Sequence, residues 1–139
     1  MFKTDIIVRF NDCDSLGHVN NATYFTYFEE GRKGLFQIFN PSLEIRSWNL
    51  ILASTKCDYL HEVVYGQRLT VYTWVSRLGN SSFDVEHAIQ DEDKNWVARG
   101  KAILACYNFD TKKSTPLTNE TREKLLNYQT GPSDAPELA

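Results

Sequence analysis

Residues 12 to 21, "DCDSLGHVNN", put two acids, a thiol, a histidine and two asparagines into ten positions. A connection between two elements needs less, since one capping side chain is enough to start a helix. Three kinds of chemistry suit these residue types. A carboxylate, Asp14 or Asp12, can take a proton from water or attack an electrophile directly. Cys13 near His18 has the composition of a thiol nucleophile and its base. Asp12, Asp14 and His18 carry donor atoms that can coordinate a metal. Against all three stands ordinary loop architecture. Aspartate side chains bond turn amides, Gly17 supplies a backbone angle that other residues resist, and Asn20 or Asn21 caps the helix that follows. Strand alternation turns Cys13 away from Asp14, and a buried free cysteine is the commoner case. The metal donors sit on one loop with nothing elsewhere to complete a set, so no metal is expected.

The elements that must position this loop follow from periodicity. "TDIIVRF", residues 4 to 10, reads as a strand. From about Ala22 to about Phe39 the spacing predicts one long helix, with Tyr24, Phe25, Phe28, Leu35, Ile38 and Phe39 as its apolar surface. Glu29, Arg32 and Lys33 are expected to pair on its other side. Gly31 and Gly34 are unfavourable inside a helix and suggest that a sheet approaches it closely. Beyond a loop that begins at Pro41 the period changes to two. "LILASTKCDYLHEV", "QRLTVYTWVSRL", "SSFDVEHAI" and "NWVARGKAILACYNF" are four long strands joined by short turn-rich connectors, hence antiparallel neighbours. "TNETREKLLNYQ" is expected to be a helix capped by Thr118 or Asn119, and residues 129–139 a mobile tail. One apolar helix and one sheet must bury each other. The fold class is α+β, a single domain over residues 1–128 with an antiparallel sheet curled around a central helix. Long edge strands left unpaired are a liability, which edge-to-edge dimerisation would remove.

Bulk properties narrow the function classes. The chain has 139 residues, 42% of them hydrophobic and 24% charged, with a net charge of −3. That balance gives no general support for a nucleic-acid partner. No apolar run reaches the roughly 20 residues of a membrane span, so no membrane partner is expected. The N-terminal residues lack the apolar core of a signal peptide. The three cysteines share no metal-type spacing. Free thiols in a reducing cytoplasm are therefore expected.

"DCDSLGHVNNATYFTYFEEGR" resembles the motif D-x-D-x-x-G-H-V-N-N-x-x-Y at the head of the central helix in hotdog-fold acyl-CoA thioesterases, the 4-hydroxybenzoyl-CoA thioesterase-like family. "YLHEVVYGQRLTVYTWVSRLGNSSF" is similar to that family's strand, turn and strand ahead of a Leu-Gly-x-Ser-Ser-Phe hairpin. The likeness covers about residues 4 to 117. It implies a hotdog fold, hydrolysis of an acyl-CoA or acyl-carrier-protein thioester without a cofactor, and a homodimer or homotetramer with active sites between subunits. It also implies that Asp14 is the catalytic carboxylate, as general base or as nucleophile, and that the backbone N–H near Asn21 polarises the thioester carbonyl. Substrate contacts are expected from His18, Asn20 and Tyr24, and from Ser81 and Ser82 in the hairpin. Tyr27, Phe28 and Trp48 are expected beside Tyr24 in the wall of the acyl pocket, and Asp12 in a structural turn. A hotdog domain that binds a thioester or a partner without turnover is the alternative function class.

Overall fold

A computed structural model describes all 139 residues. Strand β1 (Phe2–Ile7) leads through a loop to helix α1 (Thr23–Gly31), which runs into α2 (Lys33–Phe39). Strands β2 (Leu50–Tyr59), β3 (Arg68–Leu78), β4 (Ser82–Asp91) and β5 (Trp96–Asn108) follow, then the short β6 (Lys113–Ser114) and α3 (Asn119–Leu125). The sheet order is β1-β3-β4-β5-β2, antiparallel throughout, with β6 beside β5. This is the hotdog arrangement, α+β, with the sheet wrapped on the helical segment. The strand pattern of two reads directly in burial. Leu69, Val71 and Val75 of β3 and Phe83, Val85 and Ile89 of β4 are all buried on the face that meets the helices. Gly31 and Gly100 permit that closeness. A Cβ on Gly31 would lie 2.7 Å from Val71, and one on Gly100 2.5 Å from the Phe28 ring.

The long helix differs from expectation at Arg32, where the chain makes a tightened turn between α1 and α2. Arg32 is also not part of a solvent-facing ion pair. It is buried, and its guanidinium Nη1 lies 3.1 Å from His87 Nε2. The other ring nitrogen of His87 lies 2.9 Å from Thr73 Oγ1, and Phe28 stacks on the ring at 4.8 Å. An arginine can only donate, so His87 Nε2 accepts and Nδ1–H donates to Thr73. Burial pushes the His87 pKa well below its ordinary value, and the charges of Arg32 and Arg99 push the same way. Burial likewise lowers Arg32 to about 10. This polar layer divides the core into two apolar clusters. One gathers Tyr24, Phe28, Val63, Leu69 and Ile89, and the other Leu35, Val75, Phe83, Leu104 and Leu125.

Two expected features take other places. Trp48 packs on Phe36, and the Tyr27 hydroxyl is bonded to Asp12. Residues after Tyr128 cross the outer face of the sheet. Gly131 lies on the Trp74 ring, the Pro136 carbonyl accepts from Arg99 at 2.6 Å, and the Ala139 N–H reaches Asp58 at 2.8 Å. Thr118 caps α3 as its hydroxyl suggests, accepting from the Thr121 N–H at 3.2 Å.

Candidate active site

Asp12 is the anchor of the loop. Its carboxylate accepts from the Arg9 N–H at 2.9 Å, from Arg9 Nη2 at 3.0 Å and from the Tyr27 hydroxyl at 2.9 Å. Burial alone would raise its pKa, but these donors outweigh burial and hold it below the ordinary carboxylate value. The loop is thereby tied to α1, and the structural role expected of Asp12 is the one observed. Cys13 is half-buried against the first apolar cluster, its thiol toward the Arg9 carbonyl.

Asp14, two residues on, is exposed. Its backbone closes a small turn, donating to His18 O at 2.9 Å and accepting from the Gly17 N–H at 3.1 Å. Gly17 takes a φ of 84°, the left-handed region where a side chain is strained. One carboxylate oxygen of Asp14 accepts from the Leu16 N–H at 2.9 Å, and the other has no partner in the chain. The loop then pairs with the segment after β2, through Val19 N–H to Val63 O at 2.8 Å and His18 opposite Val64. His18 Nε2 lies 3.2 Å from Glu62 Oε2.

Helix α1 begins just beyond. Asn20 is the residue that organises its start, its side chain accepting from the Ala22 N–H and its carbonyl from the Thr23 N–H, both at 2.9 Å. The Asn21 side chain makes no cap. Neither the Asn21 nor the Tyr24 backbone N–H has a partner in the chain. The first N–H groups of a helix lack intrahelical acceptors and carry the positive end of its dipole.

These pieces open on one cleft of about 790 Å³, whose lining includes Asp14, His18, Asn21 and Tyr24 from the loop and helix. Tyr59, His61 and Glu62 line it from the end of β2 and the segment after it. Burial pushes the Tyr24 hydroxyl up to about 12, keeping it protonated. The lining contains no lysine or arginine. Of the residues expected at the site, Asn20 stays outside the lining and acts on the helix start. Ser81 and Ser82 lie at the far end of β3, about 35 Å of strand away from the cleft at the usual rise. Tyr59, His61 and Glu62 were not anticipated as site residues. "YLHEV" reads as continuing strand, whereas β2 ends at Tyr59 and the rest turns across the loop.

The model of the thioesterase-like superfamily matches residues 8–125. The chain belongs to the thioesterase-like superfamily. The thioesterase superposes on the structure of a predicted thioesterase from Bacillus stearothermophilus with a TM-score of 0.91 and 33% identity, covering 95% of this chain and 98% of the other. It is 31% identical over 125 residues to the protein YsmA of Bacillus subtilis, spanning 90% of this chain and 85% of that one. It is 27% identical over 126 residues to the long-chain acyl-CoA thioesterase FadM of Escherichia coli, spanning 88% of this chain and 96% of FadM. The thioesterase is thus a thioester hydrolase of the hotdog fold. No helix in it is long and apolar enough to cross a membrane.

Proposed function

We propose that this thioesterase hydrolyses an acyl thioester of coenzyme A, or of an acyl-carrier protein, in the Asp14 cleft. The observation that carries this reading is the convergence of a carboxylate with a free oxygen and a helix start with free N–H groups on one cleft. The thioester carbonyl oxygen accepts from the Asn21 N–H, which matches the charge that develops there in the transition state. Asp14 acts in one of two ways. As general base it takes a proton from water while the water oxygen bonds to the carbonyl carbon. The tetrahedral intermediate then expels the thiolate, the C–S bond breaks, and the thiolate takes up the proton. As nucleophile Asp14 forms a mixed anhydride, thiolate leaves first, and water then releases the acid. His18, fixed by Glu62, and Tyr24 contact the substrate, and Asn20 shapes the helix start. The lining without cations suits the uncharged pantetheine arm and leaves the CoA phosphates outside.

The working unit in this reading is a homodimer, or a homotetramer built from it, in the cytoplasm. Strand β2 is an unpaired edge of ten residues, with Ile51 40% and Leu52 45% exposed. Pairing two copies along such an edge removes the liability, and a two-fold axis gives a closed dimer. Thiol release from a panel of acyl-CoA and acyl-carrier-protein substrates tests the function. Turnover of at least one chain class is expected. Binding without release from any of them would favour a hotdog domain that binds thioesters without hydrolysing them.

A further inference from the structure

The start of α1 departs from a regular helix in a way that its own loop does not explain. In a regular α-helix the Asn21 carbonyl would accept from the Phe25 N–H four residues later. Here the Phe25 N–H donates to Ala22 O at 3.2 Å and the Thr23 N–H to Asn20 O at 2.9 Å. Both are the three-residue bonds of a tightened turn. Asn21 stands just ahead of the Ala22 N-cap, and its carbonyl accepts from the Tyr59 hydroxyl at 2.7 Å. That bond comes from 38 residues away in sequence, from the last residue of edge strand β2. Tyr59 is itself braced, its ring edge-on to Tyr24 with centroids 5.1 Å apart. Asn21 is exposed. Without the Tyr59 hydroxyl its carbonyl can turn to water or back to Phe25 at little cost, because an exposed carbonyl always finds a partner.

We propose that Tyr59 is a positioning residue, fixing Asn21 at the head of α1 and holding the first turn in its tightened form, so that the Tyr24 N–H stays unpaired and the Asn21 N–H keeps its place at the cleft. The role in turnover rests on the reading of the Asp14 cleft as the thioester site. Tyr59 does not touch the reacting atoms in this account and acts through Asn21. It also ties the geometry of the site to the end of the edge strand, so an assembly that pairs β2 steadies the helix start.

Tyr59→Phe keeps the ring and removes only the hydroxyl, and circular dichroism checks that the variant folds. Two measurements then decide. In hydrogen exchange of the substrate-free protein, the amides of Ala22, Thr23 and Phe25, which are bonded in the tightened turn, should exchange faster in the variant, with the remaining helices unchanged. In steady-state kinetics with an acyl-CoA, kcat should fall about tenfold at nearly constant KM, less than the roughly 100-fold or more of losing an oxyanion donor outright. Unchanged exchange at these three amides overturns the proposal. So does a raised KM at constant kcat, which would make Tyr59 a substrate contact. If the wild-type protein turned over no thioester, the functional reading would fall, and the exchange measurement would still decide the role of Tyr59.

Discussion

The two apolar clusters on either side of the Arg32–His87–Thr73 layer are nearly equal in size, with 11 and 10 buried residues. Burial therefore does not tell them apart. Their polar margins do. At the hairpin end the charged side chains pair with one another or with the backbone. Arg77 pairs with Asp84 at 2.7 Å, Lys101 with the same carboxylate at 3.2 Å, and Arg122 reaches the Gly79 carbonyl at 2.6 Å. At the cleft end a carboxylate oxygen and two helix N–H groups stand unpaired, beside the exposed side chains of Leu16, Leu60 and Val64. Satisfied polar groups stabilise a fold but have nothing left to offer a ligand. Unsatisfied ones beside open apolar surface are where a substrate gains both contact area and direction. Ser81 and Ser82 stand at the hairpin end of this chain, where the Ser82 hydroxyl accepts from Arg77.

The contrast can be broken by substitution. Asp14→Asn should have the largest effect, lowering kcat at least about 100-fold, the lower range for loss of a general base. Its melting temperature should stay close to wild type. Near-normal turnover would place the chemistry elsewhere. Next comes the helix start. Asn21→Pro deletes the N–H and Asn21→Ala only the side chain. The proline variant, once shown to be folded, should have a kcat about 100-fold or more below that of the alanine variant, as for an oxyanion donor. Equal turnover of the two would remove the Asn21 N–H from the mechanism.

The dividing layer gives a prediction in pH. His87 is neutral in the fold, with its pKa held well below the ordinary value by burial first and by the two arginines second. In the unfolded chain it takes a proton below about pH 6.5. The unfolded state therefore binds more protons there, and stability present above that pH is lost as the pH falls. The loss is at most about 1.4 kcal/mol per pH unit for one group. Melting temperatures should fall from pH 7 to pH 5, and the fall should be shallower in a folded His87→Gln variant. Parallel curves for the two would show that His87 is not the group responsible. The smallest effect belongs to the hairpin. Ser82→Ala removes one exposed bond from Arg77, and both turnover and stability should stay close to wild type, within about 0.5 kcal/mol for a surface change of this kind. A loss of turnover as large as that of Asp14→Asn would erase the distinction between the two ends.

Much of the fold was legible because its signals are local. The period of two in "LTVYTWV" and "SSFDVEHAI" predicts which side chains face the helix, and Leu69, Val71, Phe83 and Val85 are buried accordingly. Thr118 reads correctly as a cap because capping is decided within four residues. The Asp14 loop stands out for the same reason, through its composition. What sequence does not show is long-range. Arg32 looks like a surface ion-pair residue at helical spacing, and only the sheet brings His87 to it. Tyr59 looks like one more strand residue until the strand end meets the helix start. Nor does sequence show that the register of β3 with β4 places Ser81 and Ser82 at the other end of this chain from the Asp14 loop.

The central claim is that the Asp14 end of the molecule is the thioester site. Its most direct test is amide NMR during titration with a non-hydrolysable thioether analogue of an acyl-CoA. The largest shifts are expected at residues 14–24 and 59–64, the two segments that meet at the cleft. Largest shifts at residues 79–82, with the Asp14 loop unperturbed, would contradict the account.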